Sequence, residues 1–458
     1  MMKNLIIMAL LVSSGTAFAQ NQAVKQDTFS LRRLFSNGKI KGSVRQFSMF
    51  TDNHSGLSDY YALAIGAGLN YETKRWKNMQ FSFGGFFVHD LASSNFSKAD
   101  PTTKTISRYD IGLFDILELN NQLISRVENL NIKYFYKKST LIVGKQVLKT
   151  PLVNPQDGRM TSSMMEGVYA HFNQLKNLHL EGGWLYRSSP RSTVKWFSIA
   201  NSIGTYPMGI NTNGTKGNYL DNISSKGLFI LGGNYDFNES SKLSAWNYFI
   251  ENVSNTSMLQ WNQDFDLKTH KIKYGLQFFS QNAIKDGGNP DPTKTYMAAN
   301  SKAIVLGAML GFNKKQNSWT LNYTRITKDG RFQFPREWGR DPFFTFLPRE
   351  RNEGLGGVHA VSGTFSRNIT SKNLFFDVGL GKYILPGVKD FRLNKYGMPS
   401  YTQLNAGLKY IPKGIMEGID IQLLAIRKWN NGQLYNDEKF RINKVDMTNY
   451  NVVLNYNF

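Results

Sequence analysis

The 458-residue chain contains no cysteine. Disulfides, thiolate catalysis, zinc sites built on thiolates and lipidation of an N-terminal Cys are therefore excluded. Long apolar runs are equally scarce. Beyond Leu5 to Val12 nothing approaches the ~20 continuous apolar residues of a spanning helix, which excludes a helical inner-membrane protein. Acidic residues are few, 33 against 55 Lys and Arg, for a formal charge of +22. The basic residues are scattered rather than blocked. That distribution argues against a nucleic-acid-binding tail and for separate basic positions on loops or on a lumen wall.

What is present begins with an export signal. Lys3, the run Leu5 to Val12 and small residues ending Ala17-Phe18-Ala19 read as a secretory signal cleaved before Gln20. Loss of Lys3 leaves +21. The chain accordingly divides into a signal peptide (1–19), a periplasmic N-terminal segment (20–38) and one domain over 39–458. Aromatic residues reach 14% while mean hydropathy is only −0.38. A β-barrel standing in lipid reconciles the two, with aromatic girdles outside and a polar lumen inside.

The last ten residues, Asn449 to Phe458, alternate almost without fault. Tyr450, Val452, Leu454, Tyr456 and Phe458 share one face, and Asn449, Asn451, Asn455 and Asn457 the other. Tyr450, Leu454, Tyr456 and Phe458 resemble the C-terminal insertion signal of bacterial outer-membrane barrels, which implies the barrel-assembly machinery as a partner. About eighteen segments of this kind run from Lys39–Phe50 to Asp446–Phe458. Connectors alternate between brief turns, such as Lys74-Arg75 and Lys138-Ser139, and long loops, such as Asp90 to Glu128 and Val147 to Met165. The expectation is an all-β transmembrane antiparallel barrel in the cell outer membrane of a Gram-negative bacterium, with short periplasmic turns and long extracellular loops. A soluble β-sandwich would not need that connector asymmetry. A plugged receptor would need more than about twenty residues before its first strand.

Alternation also assigns the lumen. With Tyr61, Leu63 and Ile65 facing lipid, Ala62, Ala64 and Gly66 face inward. By the same parity Lys133, Lys137, Arg187, Lys271, Lys273, Gln277 and Lys409 point into the pore, and Lys41 and Arg45 share a face of the first strand. A wall of spaced cations lowers the barrier to anions without trapping them.

Leu141-Ile142-Val143-Gly144-Lys145-Gln146, followed by Thr150-Pro151-Leu152-Val153-Asn154-Pro155-Gln156-Asp157-Gly158-Arg159 and then Glu166-Gly167-Val168-Tyr169, resembles the OprD-type outer-membrane porins. The resemblance implies eighteen strands, a substrate-selective channel, and an inward-folded loop over Val147 to Met165 with Asp157 and Arg159 at the constriction. It departs at Met160-Thr161-Ser162-Ser163, which replaces the family's Leu-Leu-Pro.

No phosphate-cradling or dinucleotide fingerprint is present, and His171 and His179 lack a Ser/His context, so neither an enzyme nor a cofactor is expected. Asp286 to Asp291 lacks the spacing and terminal Glu of a calcium loop, and no metal is expected. The function implied is passive diffusion of small hydrophilic solutes, anionic or carboxylate-bearing ones favoured. Outer-membrane lipid and lipopolysaccharide are the expected surroundings, with no nucleic-acid partner. The alternative is a non-conducting structural or adhesin-like barrel, or a channel for hydrophobic substrates.

Overall fold

A computed structural model describes residues 35–119, 123–156 and 158–458. Residues 1–34, where the signal peptide and most of the N-terminal segment are expected, residues 120–122 and Asp157 lie outside the described residues. Eighteen strands form the wall. They are β1 (Lys39–Asp52), β2 (Tyr60–Glu72), β3 (Met79–Ser93), β4 (Leu123–Tyr136), β5 (Ser139–Gln146), β6 (Met164–Phe172), β7 (Leu178–Ser189), β8 (Leu228–Asn238) and β9 (Ser241–Ile250). The second half comprises β10 (Ser254–Asp266), β11 (Lys271–Ala283), β12 (Lys302–Lys314), β13 (Asn317–Ile326), β14 (Val358–Ile369), β15 (Leu374–Ile384), β16 (Tyr401–Tyr410), β17 (Ile419–Asn430) and β18 (Met447–Asn457). Each pairs antiparallel with the next, and β18 returns to β1 from Ser43 opposite Asn457 to Asp52 opposite Thr448. Closure leaves no unpaired edge, as a strand structure in lipid requires.

The period of two decides what each face meets. Tyr450, Leu454, Tyr456 and Phe458 are exposed on the outer face of β18, while Asn449, Asn451 and Asn455 are buried on the inner one. Tyr61, Ile65 and Leu69 are likewise exposed on β2, against buried Ala62 and Ala64. At one end the strands join through short turns such as 137–138 and 315–316. At the other end stand the long connections L2 (94–122), L3 (147–163), L4 (190–227), L7 (327–357), L8 (385–400) and L9 (431–446).

L3 was expected to enter the lumen. L7 also enters it, which the sequence reading did not anticipate. Gln277 on β11 donates to the Pro342 carbonyl at 2.9 Å, Tyr383 on β15 to Thr345 at 2.8 Å, and Gln403 on β16 to Pro348 at 2.8 Å. L7 therefore crosses the inside of the wall from β11 to β16. Its Phe332, Phe334, Trp338 and Phe343 pack with Tyr248, Phe279 and Val305 of the wall. A second apolar mass joins Phe96, Ile111, Leu113 and Phe114 of L2 to Phe47, Met49 and Phe86 of β1 and β3. The long-loop half of the lumen is thus narrowed from two sides.

Candidate pore constriction

The descent of L3 starts inside β5. Gly144 has φ +118°, and a Cβ there would stand 2.3 Å from the Leu130 carbonyl oxygen. Only glycine meets both demands, which gives the Val-Gly-Lys-Gln motif a physical basis. Leu148, Leu152 and Val153 then bury in the larger apolar cluster, and Leu152 N donates to the Tyr248 hydroxyl at 3.2 Å. L3 and L7 hold each other. Asn154 N donates to the Trp338 carbonyl at 3.0 Å, and Ser163 Oγ to that of Glu337 at 2.9 Å. Gln156 donates to the carbonyls of Arg336 and Gly339.

Gln156 is also where arginines collect. Arg191 of L4 donates to its carbonyl at 3.0 Å and Arg351 of L7 to its Oε1 at 3.2 Å. A Cβ at Gly158 would stand 3.6 Å from Arg349 Nη1 and 3.7 Å from Arg191 Nη1, so both guanidinium groups converge on the tip of L3. Arg159 lies against L2, where a Cβ on Gly112 would come within 2.5 Å of its Nε. Its carbonyl accepts from Arg45 on β1 at 2.7 Å, and Arg45 Nε donates to Asn455 at 2.7 Å. Burial, then Arg349 and Arg191, pushes the Arg159 guanidinium well below its ordinary value. Burial and Arg191 lower Arg349 to about 10, which leaves it charged at neutral pH.

The hydrogen-bond partners of this cluster are carbonyls, amides and the Met49 thioether. Among the described residues Arg159, Arg191, Arg349 and Arg351 make no ion pair within 4 Å. The nearest comparable group, Arg336, lies 3.4 Å from Glu353. Towards the short turns the situation reverses. Lys133 meets Glu72 at 2.5 Å, and Lys41 meets the same carboxylate at 3.7 Å. Lys271 and Lys273 share Asp264 at 3.4 and 4.0 Å, and Lys409 meets Asp420 at 2.5 Å. Each of these luminal lysines has a carboxylate within 4 Å, and Lys271 has a second, Asp266, at 3.1 Å. Among the described residues, the guanidinium groups gathered at the tip of L3 have no such carboxylate partner.

Two residues, Arg187 and Lys137, stand elsewhere than alternation placed them, and a third, Gln277, faces inward as expected but lies covered. Register sets Leu130 opposite Lys145, Lys145 opposite Glu166, and Glu166 opposite Arg187. Leu130 is exposed on the outer face. Arg187 therefore belongs to the outer face, 3.6 Å from Glu166, because a bulge between Glu166 and Gly167 reverses the parity of β7 beyond it. Lys137 is not on a strand but in the turn after β4, with φ +50°. Gln277 faces inward and is 4% exposed beneath L7, so it supports the loop rather than lining open lumen.

Arg126 was not singled out from the sequence. Buried on β4, it donates to the carbonyls of Ser162, Pro190 and Thr193 at 2.6, 3.2 and 3.3 Å and pins L3 and L4 to the wall. His171 faces Glu181 at 3.4 Å, and His179 bonds Asn173 at 3.0 Å. Asp291 accepts from Thr293 N and Oγ1. No cluster of three His, Cys, Asp or Glu suited to a metal occurs among the described residues.

A family model described as outer membrane porin, OprD family, matches residues 122–388. The chain belongs to the OprD family of outer-membrane porins. Solved OprD-like barrels share its architecture across almost their whole length. OccK9 (OpdG) of Pseudomonas aeruginosa superposes with a TM-score of 0.73 at 12% identity, covering 93% of this chain and 99% of that one. OccAB4 of Acinetobacter baumannii gives 0.72 at 16%, covering 92% and 98%. OpdK of P. aeruginosa, solved with vanillate, gives 0.67 at 14%, covering 93% and 99%. A comparison with curated proteins finds no match. The chain is thus an OprD-family barrel of the outer membrane, and the family's role is that of a channel.

Proposed function

We propose that this porin passes small hydrophilic solutes by passive diffusion and favours anionic or carboxylate-bearing ones. The observation that carries the reading is the contrast in charge pairing along the lumen. Lys133, Lys271 and Lys409 each have a carboxylate within 4 Å, whereas Arg159, Arg191, Arg349 and Arg351 bond only to neutral groups among the described residues. Unbalanced guanidinium groups in a narrow, weakly screening passage attract anions, and their planar donor forks match a carboxylate. The vanillate found with OpdK is itself a carboxylate. In this reading Arg159 and Asp157 stand at the constriction with L3. The short turns face the periplasm and the long loops the exterior.

The role assigned to the lysines shifts accordingly. Paired Lys41, Lys133, Lys271, Lys273 and Lys409 form a near-neutral vestibule that lets a solute leave once it has passed the arginines. Liposome swelling tests the reading. Short organic acids are expected to enter several-fold faster than neutral sugars of equal size, and equal rates would overturn the preference.

A further inference from the structure

Beside the constriction, L2, L7, L8, β16 and β17 line a partly open cavity of about 20 Å³. We propose that it holds one small inorganic anion of halide size, a resident ion distinct from the solutes that pass. Arg108, Arg336, Arg349, Arg351 and Lys428 line it, with Glu353 as the single carboxylate. Five cations less one carboxylate leave +4 around a space of molecular dimensions. Lys428 is 1% exposed and donates to the Arg349 carbonyl at 2.7 Å. Glu353, 2% exposed, turns Oε2 to Arg336 Nε at 3.4 Å and accepts from the Tyr396 hydroxyl at 3.1 Å. Arg351 Nη1 and Glu353 Oε1 are buried without a hydrogen-bond partner among the described residues.

Buried donors left unmatched are costly, and like charges gathered out of water more so. The neighbouring acids supply only part of the balance. Burial raises the Glu350 carboxyl well above its ordinary value, whereas Asp341, raised by burial to about 6 beside Arg351, is ionised at neutral pH and offsets one of the charges. One anion would offset part of the positive excess and give Arg351 Nη1 an acceptor. Size selects its class. A water-sized group needs roughly 10–15 Å³, so a halide fits and an organic acid of several carbons does not. Seated there, the ion would tie Arg108 of L2, Arg349 and Arg351 of L7 and Lys428 of the wall to one centre, and so set how firmly L7 closes the lumen.

Bromide serves as the probe. Crystals of the purified barrel grown in sodium bromide should give an anomalous peak at the centre of the Arg351, Arg349 and Lys428 side chains. A map with no peak there at saturating bromide, or with water density alone, overturns the proposal. In solution, amide exchange over residues 345–355 should be about tenfold slower in chloride than in gluconate of equal ionic strength. Arg351→Gln should abolish that difference while the barrel keeps its heat-modifiable gel migration. Equal exchange of the wild type in both salts also counts against a resident anion. Should Arg351→Gln fail to fold, the wild-type map and exchange decide.

Discussion

Arg349, carried into the lumen by L7, donates to Oδ1 of Asn451 on the closing strand at 2.6 Å. The last strand therefore does more than seal the wall, since it orients one of the constriction's cations. Asn451→Asp keeps the shape of that contact and turns a neutral partner into a charged one. The variant is expected to fold, to conduct with similar unitary current, and to lose several-fold in anion-to-cation permeability. An unchanged permeability ratio would show that Arg349 does not act on passing ions.

Trp338 is fully buried where L3 and L7 meet, and its indole N–H donates to Ser202 Oγ at 2.9 Å. Trp338→Ala removes a large core side chain, at a cost of about 3–5 kcal/mol. The strand pairing that closes the wall does not involve it. Loss of packing should appear as faster amide exchange over 327–357 and as a larger, noisier unitary conductance in planar bilayers. Wild-type conductance in this variant would mean that L7 does not limit the passage.

Lys409 and Asp420 form a balanced pair on adjacent strands. Lys409→Ala should leave a bare carboxylate and shift selectivity towards cations, and Asp420→Asn should shift it towards anions. The double variant should return close to the wild type, and the mismatch between singles and double measures the coupling. If both single variants leave the reversal potential unchanged, the vestibule has no part in selectivity.

Asp110 of L2 accepts from Thr51 Oγ1 at 2.7 Å and lies near Arg159, yet burial raises its carboxyl to about 6. The unfolded reference is near 3.9. Between those values the folded loop binds more protons than the unfolded one, so the docking of L2 gains stability as pH falls from about 6 towards 4 and loses it as pH rises through 6. A two-unit difference corresponds to at most about 3 kcal/mol. Amide exchange over 94–119, corrected for intrinsic rates, should be slower at pH 5 than at pH 7. Asp110→Asn should flatten the profile, and stronger protection at pH 7 in the wild type would reverse the sign.

The wall was legible because a strand between lipid and lumen must alternate, and β18 from Tyr450 to Phe458 does so with one exception. The motif around Gly144 announced L3 for a related reason, since one backbone conformation there admits only glycine. Arg187 escaped because a bulge adds one residue and inverts parity without any compositional mark. The inward course of L7 did have a signal. Phe332, Phe334, Trp338, Phe343, Phe344 and Phe346 are too apolar for a loop left in water. Charge balance was the least legible property, because Lys133 and Glu72 lie 61 residues apart and meet only when β2 and β4 close on the same lumen.

The most direct test of the constriction is the reversal potential of single channels in a tenfold potassium chloride gradient, wild type against Arg349→Gln plus Arg351→Gln. The account predicts a potential of anion-selective sign for the wild type and a value close to zero for the double variant. A cation-selective wild type, or two equal potentials, would contradict it.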